Sequence, residues 1–183
     1  MNDLIHYLES IVSDDRRRDT GALAAMRRGL GMPPGACADM FPYVLPHLTE
    51  EQQQRHFPEY CLLASLFAYH PESTPEGNTD NMGNHMRNAG RDSATEGGIS
   101  EATERRFSNL LRAHPDDLPV HLRQAISFLK SKKEPVNWNQ LLQDLLHWDN
   151  ENMFVQKAWA RGFWGYLKPE ILKPEEPDKT EEE

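Results

Sequence analysis

The chain has 183 residues, enough for one good core, with 38% hydrophobic and 27% charged residues as in a soluble globular protein. Its formal charge of -9 excludes a protein coated in positive charge, and two cysteines exclude a disulfide framework. No apolar run is long enough to span a bilayer, and the stretch MNDLIHYLESIVSDD carries acids where a secretory leader carries bases, which predicts a cytoplasmic protein.

Asn2 to Ser13 reads as a short helix with Leu4, Ile5, Leu8 and Val12 along one face. DDRRRD at Asp14–Asp19 is a charged connector. In TGALAAMRRGLG, Thr20 to Gly31, Thr20 suits an N-cap and the final glycines suit a helix stop. Turning that segment at about 100° per residue puts Leu23, Met26 and Leu30 on one stripe, with Arg27 at its shoulder and Arg28 well away. Met32–Gly35 (MPPG) is a break, and Pro42 and Pro46 confine the next stretch, with Cys37, to short helical turns. Cys37 and Cys61 sit among apolar residues and read as reduced core thiols.

Thr49 with Gln52 resembles a capping box, opening a helix to about Tyr69 whose wide apolar arc predicts a central, buried element. Residues 72–100 turn polar, rich in Gly, Asn, Ser and Thr, and read as a long loop holding little core. Arg87 and Arg91 lie there beside NMGNHMRNAG, which has room for a short helical turn. Four helices follow. Thr103, Phe107, Leu110, Leu111 and His114 face inward on the first, and Leu118, Leu122, Ala125, Ile126 and Leu129 on the second. Asn137 with Gln140 caps the third, with Trp138, Leu141, Leu142, Leu145 and Trp148 inward; the last starts near Asn150 and buries Val155, Trp159, Gly162, Phe163 and Tyr166.

No segment alternates as a strand would, so the fold class is all-α. An N-terminal helical half (1–71), a long polar loop (72–100), a C-terminal four-helix bundle (101–168) and an acidic tail (169–183) make up the chain. The tail is expected to be solvated.

Catalytic and metal chemistry finds little to stand on. The eight histidines form no HExxH, and there is no CxxC, P-loop or GxSxG. Asp116–Asp117 and Glu50–Glu51 are adjacent and so diverge on a helix. No cofactor, metal site or catalytic residue is expected.

Basic residues at helical spacing are more informative. Arg105 and Arg112 are seven apart, as are Arg123 and Lys130, whose helix runs into Lys132 and Lys133. Lys157, Arg161 and Lys168 share a strip with Trp164. Interleaved cations and an aromatic suit a phosphate backbone with unpaired bases. The plainer account is a solvated face with intrahelical pairs such as Glu101 with Arg105.

Several stretches, taken in order, resemble the CasB family, the small subunit of the type I-E CRISPR Cascade surveillance complex. They are ALRRGLG-like Ala25–Gly31, Pro42–Val44, MGNHMR at Met82–Arg87, ERRFSNLL at Glu104–Leu111, and LPVHLRQAISFLK at Leu118–Lys130. WNQLLQDLLHW at Trp138–Trp148 and VQKAWARGFWGYL at Val155–Leu167 complete the set. Two departures are Gly162, where the family pattern has an acid, and Trp164, where it has a tyrosine. The acidic tail lies outside the pattern.

The resemblance implies a non-catalytic helical protein, two copies of which sit among other Cascade subunits, contacting guide RNA and target DNA and helping to hold the R-loop open. On that reading Arg27, Arg28, Arg87, Arg105, Arg106, Arg112, Arg123 and Lys130 are the expected phosphate contacts, with Lys157 and Arg161 behind them. The competing reading is an adaptor whose arginines dock on protein neighbours, a role that Arg27 suits best. No membrane partner is implied.

Overall fold

The computed structural model describes residues 3–13, 18–91 and 98–165. Expectations for Asn2, residues 14–17, Tyr166, Lys168 and the acidic tail fall outside them. Among the described residues the chain forms α1 (Asp3–Ser10), α2 (Thr20–Arg28), α3 (Phe41–Val44), α4 (Glu50–Tyr69) and α5 (Met82–Gly90). These are followed by α6 (Glu101–Leu111), α7 (Leu118–Lys132), α8 (Trp138–Leu146) and α9 (Phe154–Trp164), with short 3-10 turns and no strand. The fold is all-α, as the periodicity predicts. No described helix is long and apolar enough to cross a membrane.

Asp19, not Thr20, caps α2: its carboxylate accepts the Ala22 N–H at 2.9 Å, and Thr20 is already helical. A carboxylate serves that position as well as a hydroxyl and also meets the helix dipole. The glycines after α2 do not stop it in left-handed backbone either. Gly29 keeps helical angles (φ -60°, ψ -23°) and the chain tightens into a 3-10 turn over Gly29–Gly31. A Cβ on Gly29 would strike the Ser65 hydroxyl and lie 2.6 Å from the Met40 sulfur. Glycine here lets α2 close on α4.

α4 is the central element. Thr49 Oγ1 accepts the Gln52 N–H at 3.3 Å and Gln52 Oε1 accepts the Thr49 N–H at 2.8 Å, so the capping box is complete. Pro58, with no N–H to give, bends the first turns at His56 (φ -136°, ψ 17°). From Tyr60 to Ala68 every residue is buried. α2 packs on one side of α4, with α8 and α7 on others. Burial among these residues pushes the Cys61 thiol up to about 12, with Cys37 nearby adding to it, so this buried thiol stays protonated.

The stretch 72–100 holds more structure than its composition suggests. Met82–Gly90 is a nine-residue helix, α5, and Met82, Gly83, His85, Met86, Ala89 and Gly90 are buried in it. It packs chiefly on α9, and two glycines make the approach. A Cβ on Gly83 would collide with the Trp159 carbonyl; one on Gly162 would lie 2.6 Å from Asn81 Oδ1 and 2.8 Å from Asn84 Oδ1. Asn81 caps α5 and also donates Nδ2–H to the Ala158 carbonyl at 3.1 Å. An acidic side chain at Gly162 would not fit this crossing.

Buried side chains join one core from Leu4 in α1 to Phe163 in α9. Phe107 stacks on Phe163 at 4.1 Å, and Phe67 meets Trp138 edge-on at 5.4 Å. Indole N–H groups find acceptors, as buried ones must: Trp138 gives to the Glu72 carbonyl at 3.3 Å and Trp159 to Asp144 at 2.6 Å. Burial raises the Asp144 carboxyl above its usual range, while the Trp159 and Gln140 bonds pull it back.

His85 fastens α5 to the segment after α7. Its Nε2 accepts the Asn137 N–H at 3.1 Å, which fixes the neutral ring with its proton on Nδ1. Nδ1 faces Glu134 Oε1 at 3.6 Å, beyond a hydrogen bond. Burial lowers the His85 pKa, against the opposing pull of Glu134 and, more weakly, Asp80. A depressed histidine favours the fold above the unfolded value of about 6.5, and that contribution is lost as pH falls through it. Denaturant midpoints should therefore drop between neutral and mildly acidic pH, and the drop should be shallower in His85→Gln; equal pH slopes would contradict this assignment.

Candidate nucleic-acid interface

A helix leaves its last four carbonyls without intrahelical partners. In α4 these belong to Leu66, Phe67, Ala68 and Tyr69, and its last turn has no basic residue of its own. The His70 N–H serves the first two, at 3.1 Å and 3.0 Å. Arg27 Nε of α2 donates to the Ala68 carbonyl at 2.6 Å, and Lys130 Nζ of α7 donates to the Tyr69 carbonyl at 2.7 Å. All four are satisfied, two of them by cations from opposite ends of the sequence. Arg123, two turns before Lys130, donates Nη1–H to the Leu30 carbonyl at 3.0 Å, tying α7 to the turn after α2.

Arg123, with Tyr69, also lines a surface trough. Tyr69, Arg106, Val120, Arg123, Gln124, Ser127, Phe128 and Ser131 enclose about 670 Å³ of it. Arg106 and Phe128 also line a second, neighbouring hollow of about 420 Å³, with Arg91, Ser100, Thr103 and Lys132; the two hollows side by side make up the trough. Among the described residues, no aspartate or glutamate lines either part. The Arg106 guanidinium lies 4.6 Å from the centre of the Phe128 ring, and Lys130 Nζ lies 4.0 Å from that of Tyr69. The Tyr69 and Ser127 hydroxyls are 3.3 Å apart. Cations over ring faces are held by the ring quadrupole and keep other N–H groups free to turn outward. The trough thus offers positive charge and hydroxyls, which is chemistry for phosphate and not for reading bases.

The ten cations singled out in the sequence are not gathered into one patch. Arg106 and Arg123 line the trough, Lys130 stands over its Tyr69, and Arg27 holds the neighbouring carbonyl. Arg28 pairs with Asp39 at 2.6 Å and Arg105 with Glu101 at 2.8 Å, both exposed. Such pairs contribute little and yield readily to a polyanion. Lys157 and Arg161 lie exposed on α9, Arg112 is exposed as the residue that caps the end of α6, and Arg87 is half-buried on α5. Trp164 does not stand free among the α9 cations: its ring is edge-on to Phe107 at 5.2 Å and to Phe163 at 4.9 Å. Arg91 and Lys132 line the trough but were not among the ten. The KSKK run beginning at Lys130 was the available signal for Lys132; nothing local marks Arg91.

A sequence model of the family described as CRISPR-associated protein Cse2 matches residues 22–164. The chain belongs to the Cse2 family. The CRISPR-associated protein Cse2 of Thermus thermophilus is 32% identical over 162 residues, which are 86% of each protein. A crystal structure of a Cse2-family protein from the same organism superposes with a TM-score of 0.72 at 30% identity, covering 88% of this chain and 96% of that one. The CasB crystal structure from M. ruber gives 0.65 at 28% identity, covering 90% and 96%. A chain of a CRISPR RNA-guided surveillance complex, 22% identical, shares the fold with a TM-score of 0.67 over 92% of this chain and 97% of its own.

Within this Cse2-family chain, the cations that cap carbonyls should matter for folding and the exposed ones should not. Lys130→Met and Arg123→Ala are expected to lower unfolding free energy by about 1 kcal/mol each, since each removes a charge-assisted hydrogen bond to a carbonyl that water can reach. Arg105→Ala and Arg112→Ala should stay within about 0.5 kcal/mol. Chemical denaturation of the four variants checks this; a uniform effect would contradict it.

Proposed function

We propose that this protein is a non-catalytic small subunit of a type I-E Cascade surveillance complex, acting in the cytoplasm in antiviral defence. Two copies sit beside the other subunits and contact the backbone of the displaced DNA strand and of the guide–target duplex. The observation that carries the reading is the trough: four cations, Arg91, Arg106, Arg123 and Lys132, in hollows that no described carboxylate lines, on a chain whose net charge is -9. The match to Cse2 proteins, and the fold shared with a chain of an RNA-guided surveillance complex, support the setting.

The physics suits a modest binder. R-loop formation is a near-balanced exchange of one duplex for another, so a few backbone contacts tip it. Each phosphate contact releases counterions, and sequence reading is left to the guide. Of the ten cations first singled out, Arg106, Arg123 and Lys130 fit this role best. Arg28, Arg105, Arg112, Lys157 and Arg161 would add a diffuse field, with half-buried Arg87 of α5 behind them.

The adaptor reading is favoured by one observation of its own. Arg27, Arg123 and Lys130 already spend donors on main-chain carbonyls, and exposed Met32 and Val120 stand where a protein neighbour could cover them. The two readings part on the combined variant Arg91→Gln, Arg106→Gln, Lys132→Gln. Loss of target-DNA retention by an intact complex, with the salt dependence of binding flattened by about two units of slope, is expected for backbone contact. Native mass measurement that shows the subunit stripped from the complex would favour the adaptor. Unchanged retention and slope would reject the trough as a phosphate site.

A further inference from the structure

We propose that the acidic segment 175–183 is an intramolecular occupant of the trough, lying across its cations until a nucleic-acid backbone displaces it. This rests on reading the trough as a phosphate site, and it adds a regulator built into the same chain.

Sign, place and reach each point the same way. EEPDKTEEE carries six acids against one lysine, and the hollows it would meet present Arg91, Arg106, Arg123 and Lys132 with no acid among their described lining residues. The last described residue, Gly165, follows Trp164, whose ring rests on Phe107. Phe107 is next to Arg106 on α6, and α6 forms one wall of the trough through Ala102, Thr103 and Arg106. The chain therefore leaves the core against a helix that already borders the proposed site.

Residues 166–174 separate Gly165 from Glu175, a connector that spans at most about 30 Å when extended. A tether of that length holds the acids near the trough at an effective concentration on the order of millimolar, so individually weak ion pairs suffice. Carboxylates accept the same N–H donors that phosphate oxygens do, which makes the segment a competitor by chemistry as well as by charge. A weak competitor of this kind lowers binding to stray polyanions and yields to a strand presented in register by the assembled complex.

Occupancy and competition are tested separately on the full chain. A water-soluble carbodiimide joins a carboxylate to an amine in direct ionic contact. Peptide mapping after such treatment is expected to find Lys132 joined to an acid within 175–183. Mixing isotopically heavy and light protein should show the link within one copy, and an added single-stranded oligonucleotide should suppress it. In parallel, a variant with Glu175→Gln, Glu176→Gln, Asp178→Asn, Glu181→Gln, Glu182→Gln and Glu183→Gln should bind that labelled oligonucleotide about tenfold more tightly at low salt, the gap closing at high salt. The same tail changes made on top of Arg91→Gln, Arg106→Gln and Lys132→Gln should bring a much smaller gain, which separates occupancy of this trough from a general charge effect.

Links that form only between copies, or no link between Lys132 and the segment, would overturn the proposal. So would a gain that persists undiminished without the trough cations. Links within one copy, with no oligonucleotide binding by either chain, would leave the occupant in place and overturn the nucleic-acid reading instead.

Discussion

The structure turns on the far end of α4. A twenty-residue helix that runs through the core must finish somewhere, and its terminal carbonyls cannot be left dry without cost. Here the capping residue serves two of them and cations serve the others, one arriving from α2 and one from α7. Charge-assisted bonds to carbonyls at a helix C-terminus gain from the local negative end of the dipole. That single region therefore joins the early helices to the later ones, along with the Arg123 bond to the Leu30 carbonyl.

The arrangement accounts for how an anionic chain carries a basic hollow. Cations anchored on carbonyls or ring faces lose little further freedom on meeting a phosphate, so each contact costs less entropy than a waving lysine would. The acids are elsewhere. Glu101 and Asp39 are engaged in exposed pairs, Asp144 is buried beneath Trp159, and the densest run follows the described fold. Net charge describes solubility, whereas the trough is a matter of where side chains were put.

Much of the fold is legible in the sequence because helix faces announce themselves. The inward residues of α1, α4 and α6 to α8 are those that helical spacing picks out, except that α6 ends at Leu111 and leaves His114 exposed in the turn beyond it; the Thr49 and Asn137 caps fall where expected. What was missed rests on groups with no hydrophobic signature. α5 looked like loop because its contact with α9 is made through Gly83 and Gly162, and backbone proximity leaves no apolar pattern. Gly29 does end α2, as its C-cap, but for close packing against Ser65 and Met40 and with ordinary helical angles, which the glycine alone does not announce. The cap of α2 moved one residue because aspartate and threonine compete for the same role. The trough was the least readable of all. Its walls come from α4, α6 and α7 and the end of α5, and the carbonyls that orient its cations are invisible in a string of side chains.

Hydrogen exchange at the amides of Phe67, Ala68, Tyr69 and His70 tests the central claim most directly. Helix ends ordinarily fray, opening with free energies near zero. If cations from α2 and α7 clasp the end of α4, these four amides should exchange nearly as slowly as those at the middle of the helix, around Leu63. Exchange on the scale of a fraying end, with the middle of α4 still protected, would contradict the account.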